Sequence, residues 1–144
     1  MKNIHIEEMR AFNRFYTVVI GVLNKKFLNT KYTLPELRVL QAIRFQDGIT
    51  ASELILILHI DKSYLSRIIL QFEKRKLVTK KVSPNDGRSY HLHLTALGNK
   101  EFEVHDAITH NQVKQLLTQL TDKECETLIG CMGKIKTILS KPKL

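Results

Sequence analysis

The chemistry concentrated most densely in this sequence is cationic. Between residues 61 and 91 stand Lys62, Arg67, Lys74, Arg75, Lys76, Lys80, Lys81 and Arg88, eight basic residues against the three acidic ones Asp61, Glu73 and Asp86. That surplus of +5 is over half of the formal net charge of +9, in under a quarter of the 144 residues. Guanidinium and ammonium groups gathered in this way suit a polyanion, either nucleic acid or an acidic membrane surface, and charge by itself does not choose between them. A second cluster (Lys134, Lys136, Lys141 and Lys143) reads as a helix end and tail, where cations complement the helix dipole.

Other reactive side chains lack the company their chemistry needs. His91 and His93 share one face of an expected strand, but a two-stranded hairpin offers them no third or fourth ligand. His105 and His110 are five apart, about 140° around a helix, and cannot chelate one ion from the same side. Neither a metal nor a cofactor is therefore expected. Cys125 and Cys131 are six apart on a helix, roughly 120° from each other, which forbids a simple internal disulfide. Their expected role is that of buried structural cysteines; redox sensing would need an intersubunit bridge or a single reactive thiol. No G-x-S-x-G, P-loop, dinucleotide fingerprint or H-E-x-x-H is present, so an enzyme is not expected.

The composition, 43% hydrophobic and 26% charged with 6 Gly and 3 Pro, is that of one folded domain and argues against disorder. No apolar run approaches the roughly 18 residues of a membrane span, since Leu54 to Leu58 is followed at once by His59 and Asp61. The first residues lack a signal peptide's apolar core, and two cysteines make no disulfide framework, so a reducing cytoplasm is the expected compartment.

The elements that must position the basic cluster follow from periodicity. Met9, Phe12, Tyr16, Val19, Leu23 and Phe27 alternate at three and four, a long amphipathic helix over residues 4–28 that Phe15, Val18, Ile20 and Val22 broaden to more than one buried side. Thr33-Leu34-Pro35-Glu36 and Thr50-Ala51-Ser52-Glu53 are capping boxes, the first opening a helix buried through Leu37, Leu40 and Ile43. Asp61 can cap a further helix with Leu65, Ile68, Ile69 and Phe72 inward, completing a helix-turn-helix pattern. The period then becomes two, over residues 77–82 and again at Tyr90, Leu92 and Leu94, with the turn formers Ser83 to Arg88 between. A hairpin directly after a helix-turn-helix makes a winged helix. Two more helices follow, one through Leu97 to Leu120 and one opened by the Thr121-to-Glu124 box.

The fold class is thus mainly α with a small β-hairpin (α+β). The winged helix-turn-helix occupies about residues 33–96 of a single 1–144 chain, with a helical part over about 4–29 and 97–140. The outer helices carry apolar faces too wide for one small core, which predicts a homodimer built from the termini.

Four stretches follow one another in this order: Ser63-Tyr64-Leu65-Ser66-Arg67-Ile68, Phe72-Glu73-Lys74-Arg75-Lys76-Leu77-Val78, Asp86-Gly87-Arg88-Ser89 and Leu94-Thr95-Ala96-Leu97-Gly98. In them the sequence resembles the multiple-antibiotic-resistance regulator (MarR) family of bacterial transcription factors. The resemblance implies a dimer that binds a palindromic operator on double-stranded DNA, acts as a repressor, and is released by a small-molecule inducer or an oxidant. One departure is visible: where many members carry Glu-x-x-Gly, this chain has Glu73-Lys74-Arg75-Lys76. A left-handed Lys76 would cost on the order of 1 kcal/mol relative to Gly.

On this reading Lys62, Ser63, Tyr64, Ser66 and Arg67 form the exposed, base-reading end of the recognition helix. Arg67 suits a guanine edge, Ser63 and Ser66 phosphates or less specific contacts, and Tyr64 a thymine methyl or sugar. Arg88 resembles the family's minor-groove arginine, and Asp86 is placed to orient it. Lys74, Arg75, Lys80 and Lys81 are expected to neutralise phosphates. A non-specific architectural DNA binder and a thiol-based redox regulator are the competing readings, and a membrane-surface role is disfavoured because the cations run from helix into hairpin. Phe12, Phe15 and Tyr16 are candidates to line an inducer pocket, although a core role suits them better.

Overall fold

Three helices begin with the same device. Thr33, Thr50 and Thr121 each accept a hydrogen bond from the backbone N–H three residues on, while Glu36, Glu53 and Glu124 reach back to the threonine N–H. A fourth opens on Asp61, whose carboxylate accepts from the Tyr64 N–H at 2.8 Å. Each device satisfies donors that a helix start otherwise leaves open. The computed structural model describes residues 2–20, 31–82 and 89–140. Its elements are α1 (Asn3–Val19), α2 (Leu34–Phe45), β1 (Ile49–Thr50), α3 (Ala51–Leu58), α4 (Lys62–Lys74), β2 (Val78–Val82), β3 (Tyr90–Leu94), α5 (Ala96–Leu117) and α6 (Asp122–Leu139). The expected first helix is observed to Val19, its continuation through Leu23 and Phe27 lies outside the described residues, and α5 stops at Leu117, short of Leu120.

The wing is larger than the expected hairpin. Gly48 adopts a positive φ of 83°, turning the chain out of α2, and its N–H donates to the Leu92 carbonyl at 2.9 Å. That turn lays β1 antiparallel on β3 and makes a three-stranded sheet of order β1-β3-β2. A strand of two residues between helices carries no period of its own, so periodicity could not find it. The central strand is therefore β3, and its histidines are occupied in holding the turn. His91 Nδ1 lies 2.7 Å from the Gly48 carbonyl and His93 Nδ1 2.8 Å from the Asp47 carboxylate.

Buried residues of α2, α3, α4 and the sheet form one core: Val39, Leu40, Ile43, Ile49, Leu54, Leu65, Ile68, Ile69, Phe72, Leu77, Val78 and Leu92, joined by Tyr32 ahead of α2. Phe72 is wholly enclosed, and truncating it to Ala is expected to cost about 3–5 kcal/mol. Phe102 of α5 packs on this core from outside, beyond the expected boundary near residue 96. The chain divides into two compact units, Met1–His105 and Asp106–Leu144, α5 running from the first into the second. In neither α1 nor α6 is any side chain buried, and both carry rows of exposed apolar residues. None of the described helices is long and apolar enough to cross a membrane.

Candidate nucleic-acid interface

Burial on α4 leaves a defined outer face. With Leu65, Ile68, Ile69 and Phe72 in the core, Lys62, Ser63, Ser66 and Arg67 are exposed, as expected, and Leu70, Gln71 and Lys74 continue the same face. Leu70 and Gln71 escaped the sequence reading, although their positions three and four after Arg67 place them beside it. Tyr64 is only half-exposed and packs against the core, with the Arg67 guanidinium 5.7 Å from its ring centroid. The ring thus supports Arg67 from beneath, and no ion pair ties Arg67 down among the described contacts.

The sheet contributes to the same side of the unit. Lys80 stands opposite Leu92 on β3 and shares its face, toward α4. Its ammonium lies 2.7 Å from the Glu73 carboxylate and 5.9 Å from the Tyr90 ring centroid. An open cleft of about 240 Å³ separates α4 from the sheet, lined among others by Ser66, Lys80, Ser89 and Tyr90. Thr50, Ala51 and Ser52 at the start of α3 line it too, a contribution the sequence reading missed because their capping role already accounted for them. Lys81 is opposite His91 and so belongs to the other face of the sheet, away from this cleft. Asp86 and Arg88 lie outside the described residues.

Arg75 stands apart from this set. As the residue that ends α4, it places its guanidinium 4.4 Å from the centroid of the Tyr32 ring. Tyr32 in turn donates its phenol O–H to Glu101 of α5 at 2.9 Å, and Lys31 reaches the same carboxylate at 3.0 Å. Burial and then the bond to Glu101 push the Tyr32 phenol well above its ordinary pKa, while the Lys31 hydrogen bond leads in lowering that of Glu101. An arginine engaged in this way ties the end of α4 to Tyr32. The cysteines depart from expectation: Cys131 is exposed and Cys125 half-exposed, because α6 buries no side chain within the chain itself. Among the described residues no group of three His, Cys, Asp or Glu side chains could hold a metal ion.

A family model described as the MarR family matches residues 31–89, from Lys31 through α4 to Ser89 ahead of β3. Over 88% of this chain the structure superposes on wild-type MarR from Escherichia coli in its apo form, at 26% identity, a TM-score of 0.73 and 94% coverage of that chain. Residues 31–89 thus resemble the MarR family, and the structure shares the fold of the E. coli protein. A cysteine-to-serine mutant of the E. coli protein, complexed with operator DNA, gives the same identity and TM-score over 92% of this chain and 96% of its own. A protein of Thauera aromatica proposed to regulate transcription of the hcr operon is 29% identical over 97 residues, 67% of this chain. That stretch is 58% of the Thauera protein, so the chain spans under two-thirds of that relative. BpsR of Bordetella bronchiseptica, described with regulation of its DNA binding by 6-hydroxynicotinic acid, shares the fold at 19% identity, with a TM-score of 0.72, 90% of this chain and 98% of its own.

Proposed function

We propose that this chain is a MarR-family, sequence-specific DNA-binding transcriptional regulator, acting as a homodimer on a palindromic operator. The observation that carries the reading is the outer face of α4: Lys62, Ser63, Ser66, Arg67 and Gln71 exposed in a row on a helix whose opposite face is sealed in the core. A helix of this kind fits the major groove, where Arg67 would meet a guanine edge and Gln71 an adenine edge, while Lys62 and Ser63 meet phosphates. Lys80 lies beside that face, and Arg88 in the wing would extend contact into the minor groove. The operator complex of the E. coli relative supports this reading.

The second copy would cover the apolar rows. Leu128, Met132, Ile135 and Leu139 recur at four, three and four along α6, a single stripe, and Phe12 and Phe15 of α1 are likewise exposed. A dimer joining these helices would set two copies of α4 one helical turn of DNA apart, about 34 Å. Repression in the cytoplasm, and release by a small-molecule inducer, complete the proposed role; regulation of BpsR by an aromatic acid supports the latter.

The test is fluorescence anisotropy of the purified protein on two duplexes of equal length, one carrying the DNA upstream of its own gene and one a scrambled version, over a salt series. Binding of two chains to the first, with a preference of at least about a thousandfold, is expected. Equal and steeply salt-dependent binding to both would favour an architectural binder, and binding to neither would defeat the proposal.

A further inference from the structure

Tyr32 touches both the helix proposed to read DNA and the helix that leads into the second unit. On the α4 side its ring meets Phe72 edge-on, with centroids 6.2 Å apart, and carries the Arg75 guanidinium at 4.4 Å. On the α5 side its hydroxyl binds Glu101, and His105 stands edge-on at 4.9 Å. The residue is 5% exposed although it lies outside every helix and strand.

A second tie joins the end of α4 to the start of α5 beside this one. This second tie is backbone-centred: the Thr95 hydroxyl donates to the Lys76 carbonyl at 2.7 Å and accepts from the Gly98 N–H at 3.0 Å, and the Thr95 N–H donates to the Leu77 carbonyl at 3.0 Å. The backbone tie has no room to adjust, because Gly98 rests directly on Leu77. The Tyr32 tie lies a turn further along α5 and is made of side-chain contacts, among them the Glu101 hydrogen bond, the Lys31–Glu101 ion pair, the Arg75 cation–ring contact and edge-on packing on Phe72 and His105.

We infer that Tyr32, through Glu101 and Arg75, is a positioning residue that sets the angle of α4 against α5. The inference rests on the DNA-binding reading for its consequence, though not for its geometry. The backbone tie acts as a fixed pivot, and the Tyr32 clasp decides how far α4 swings about it. A change in α5, which continues into the second unit, is passed to the reading face of α4 through this clasp.

The experiment compares wild type with Tyr32→Phe, which keeps the ring under Arg75, with Glu101→Gln, which keeps an acceptor while removing the charge, and with the double variant. Hydrogen exchange by mass spectrometry reads residues 62–76 in the free protein, and anisotropy reads the same two duplexes as above. Each single variant is expected to exchange several-fold faster at the end of α4 than wild type, with a lesser change in the α2–α3 region. Operator affinity is expected to fall about fivefold with binding to scrambled DNA nearly unchanged, and the double variant should be no worse than the weaker single one. Unchanged exchange over residues 62–76 overturns the inference whatever the DNA result. Faster exchange with unaltered operator preference, an equal loss on both duplexes, or losses that multiply in the double variant overturn it too. If wild type binds neither duplex, the functional reading fails and the exchange result alone decides the clasp.

Discussion

Gly98, in the first turn of α5, lies against the carbonyl of Leu77, the residue that leads from α4 into the wing, so closely that a Cβ on Gly98 would overlap the oxygen. The contact is backbone to backbone, so no flexible side chain can move aside. It gives a physical reason for the Leu94-Thr95-Ala96-Leu97-Gly98 pattern: Thr95 fastens the turn and Gly98 lets it close.

Gly98→Ala is expected to destabilise the fold by about 1–3 kcal/mol, although alanine is the better helix former in the open. Lys76→Gly should do the reverse. Lys76 holds a positive φ of 57°, a conformation strained for a side-chain-bearing residue, and glycine there is expected to add up to about 1 kcal/mol. Urea unfolding midpoints of the two variants measure both effects, and a neutral Gly98→Ala would contradict the close contact.

Arg67→Ala is expected to cost about 1–3 kcal/mol on the operator and far less on scrambled DNA, because a guanidinium on a base edge carries sequence information. Equal losses on the two duplexes would assign Arg67 to phosphate contact instead.

Lys80 is half-compensated by Glu73 at 2.7 Å, and this alters its expected contribution. Lys62→Ala should lower the slope of log K against log salt by nearly one, whereas Lys80→Ala should lower it by clearly less. Glu73→Gln should raise affinity for every sequence, since it frees the Lys80 charge. Anisotropy across a salt series at fixed pH distinguishes these slopes.

Ile135→Asp places a carboxylate in the apolar stripe of α6. If a second copy covers that stripe, the variant is monomeric by light scattering and loses about a hundredfold or more in operator affinity. A variant that remains dimeric would move the interface elsewhere.

His105 ties stability to pH. Burial is the leading cause that lowers its pKa below the ordinary 6.5, Lys31 adding to the effect and Glu101 opposing it. The folded chain holds this proton less readily than the unfolded one, so the His105 contribution is present above pH 6.5 and is lost as pH falls through the folded pKa. Glu101, lowered from 4.5 chiefly by Lys31, has its own loss only at more acid pH. Thermal unfolding should therefore show Tm falling already between about pH 7 and pH 5, and His105→Gln should shrink that fall.

Much of this molecule was open to one-dimensional reading because it is built from local rules. Thr33, Thr50, Thr121 and Asp61 start helices through bonds spanning three residues, and the spacing of Leu65, Ile68, Ile69 and Phe72 defines by exclusion the outward face of α4. Lys62, Ser63, Ser66 and Arg67 could be placed on that face for the same reason, and a strained Lys76 followed from the resemblance, where Glu-x-x-Gly has its glycine at that position. What the tertiary structure decided are relations between residues far apart in the chain. The strand at Ile49–Thr50 exists only because β3 pairs with it, and His91 and His93 are occupied because the Asp47–Gly48 turn folds beneath them. Lys80 acquires Glu73, and Arg75 is drawn from solvent onto Tyr32, because long-range packing brings those charges within a few ångströms. Periodicity reports which face of an element is apolar; it carries no information about which distant side chain arrives to meet a charge.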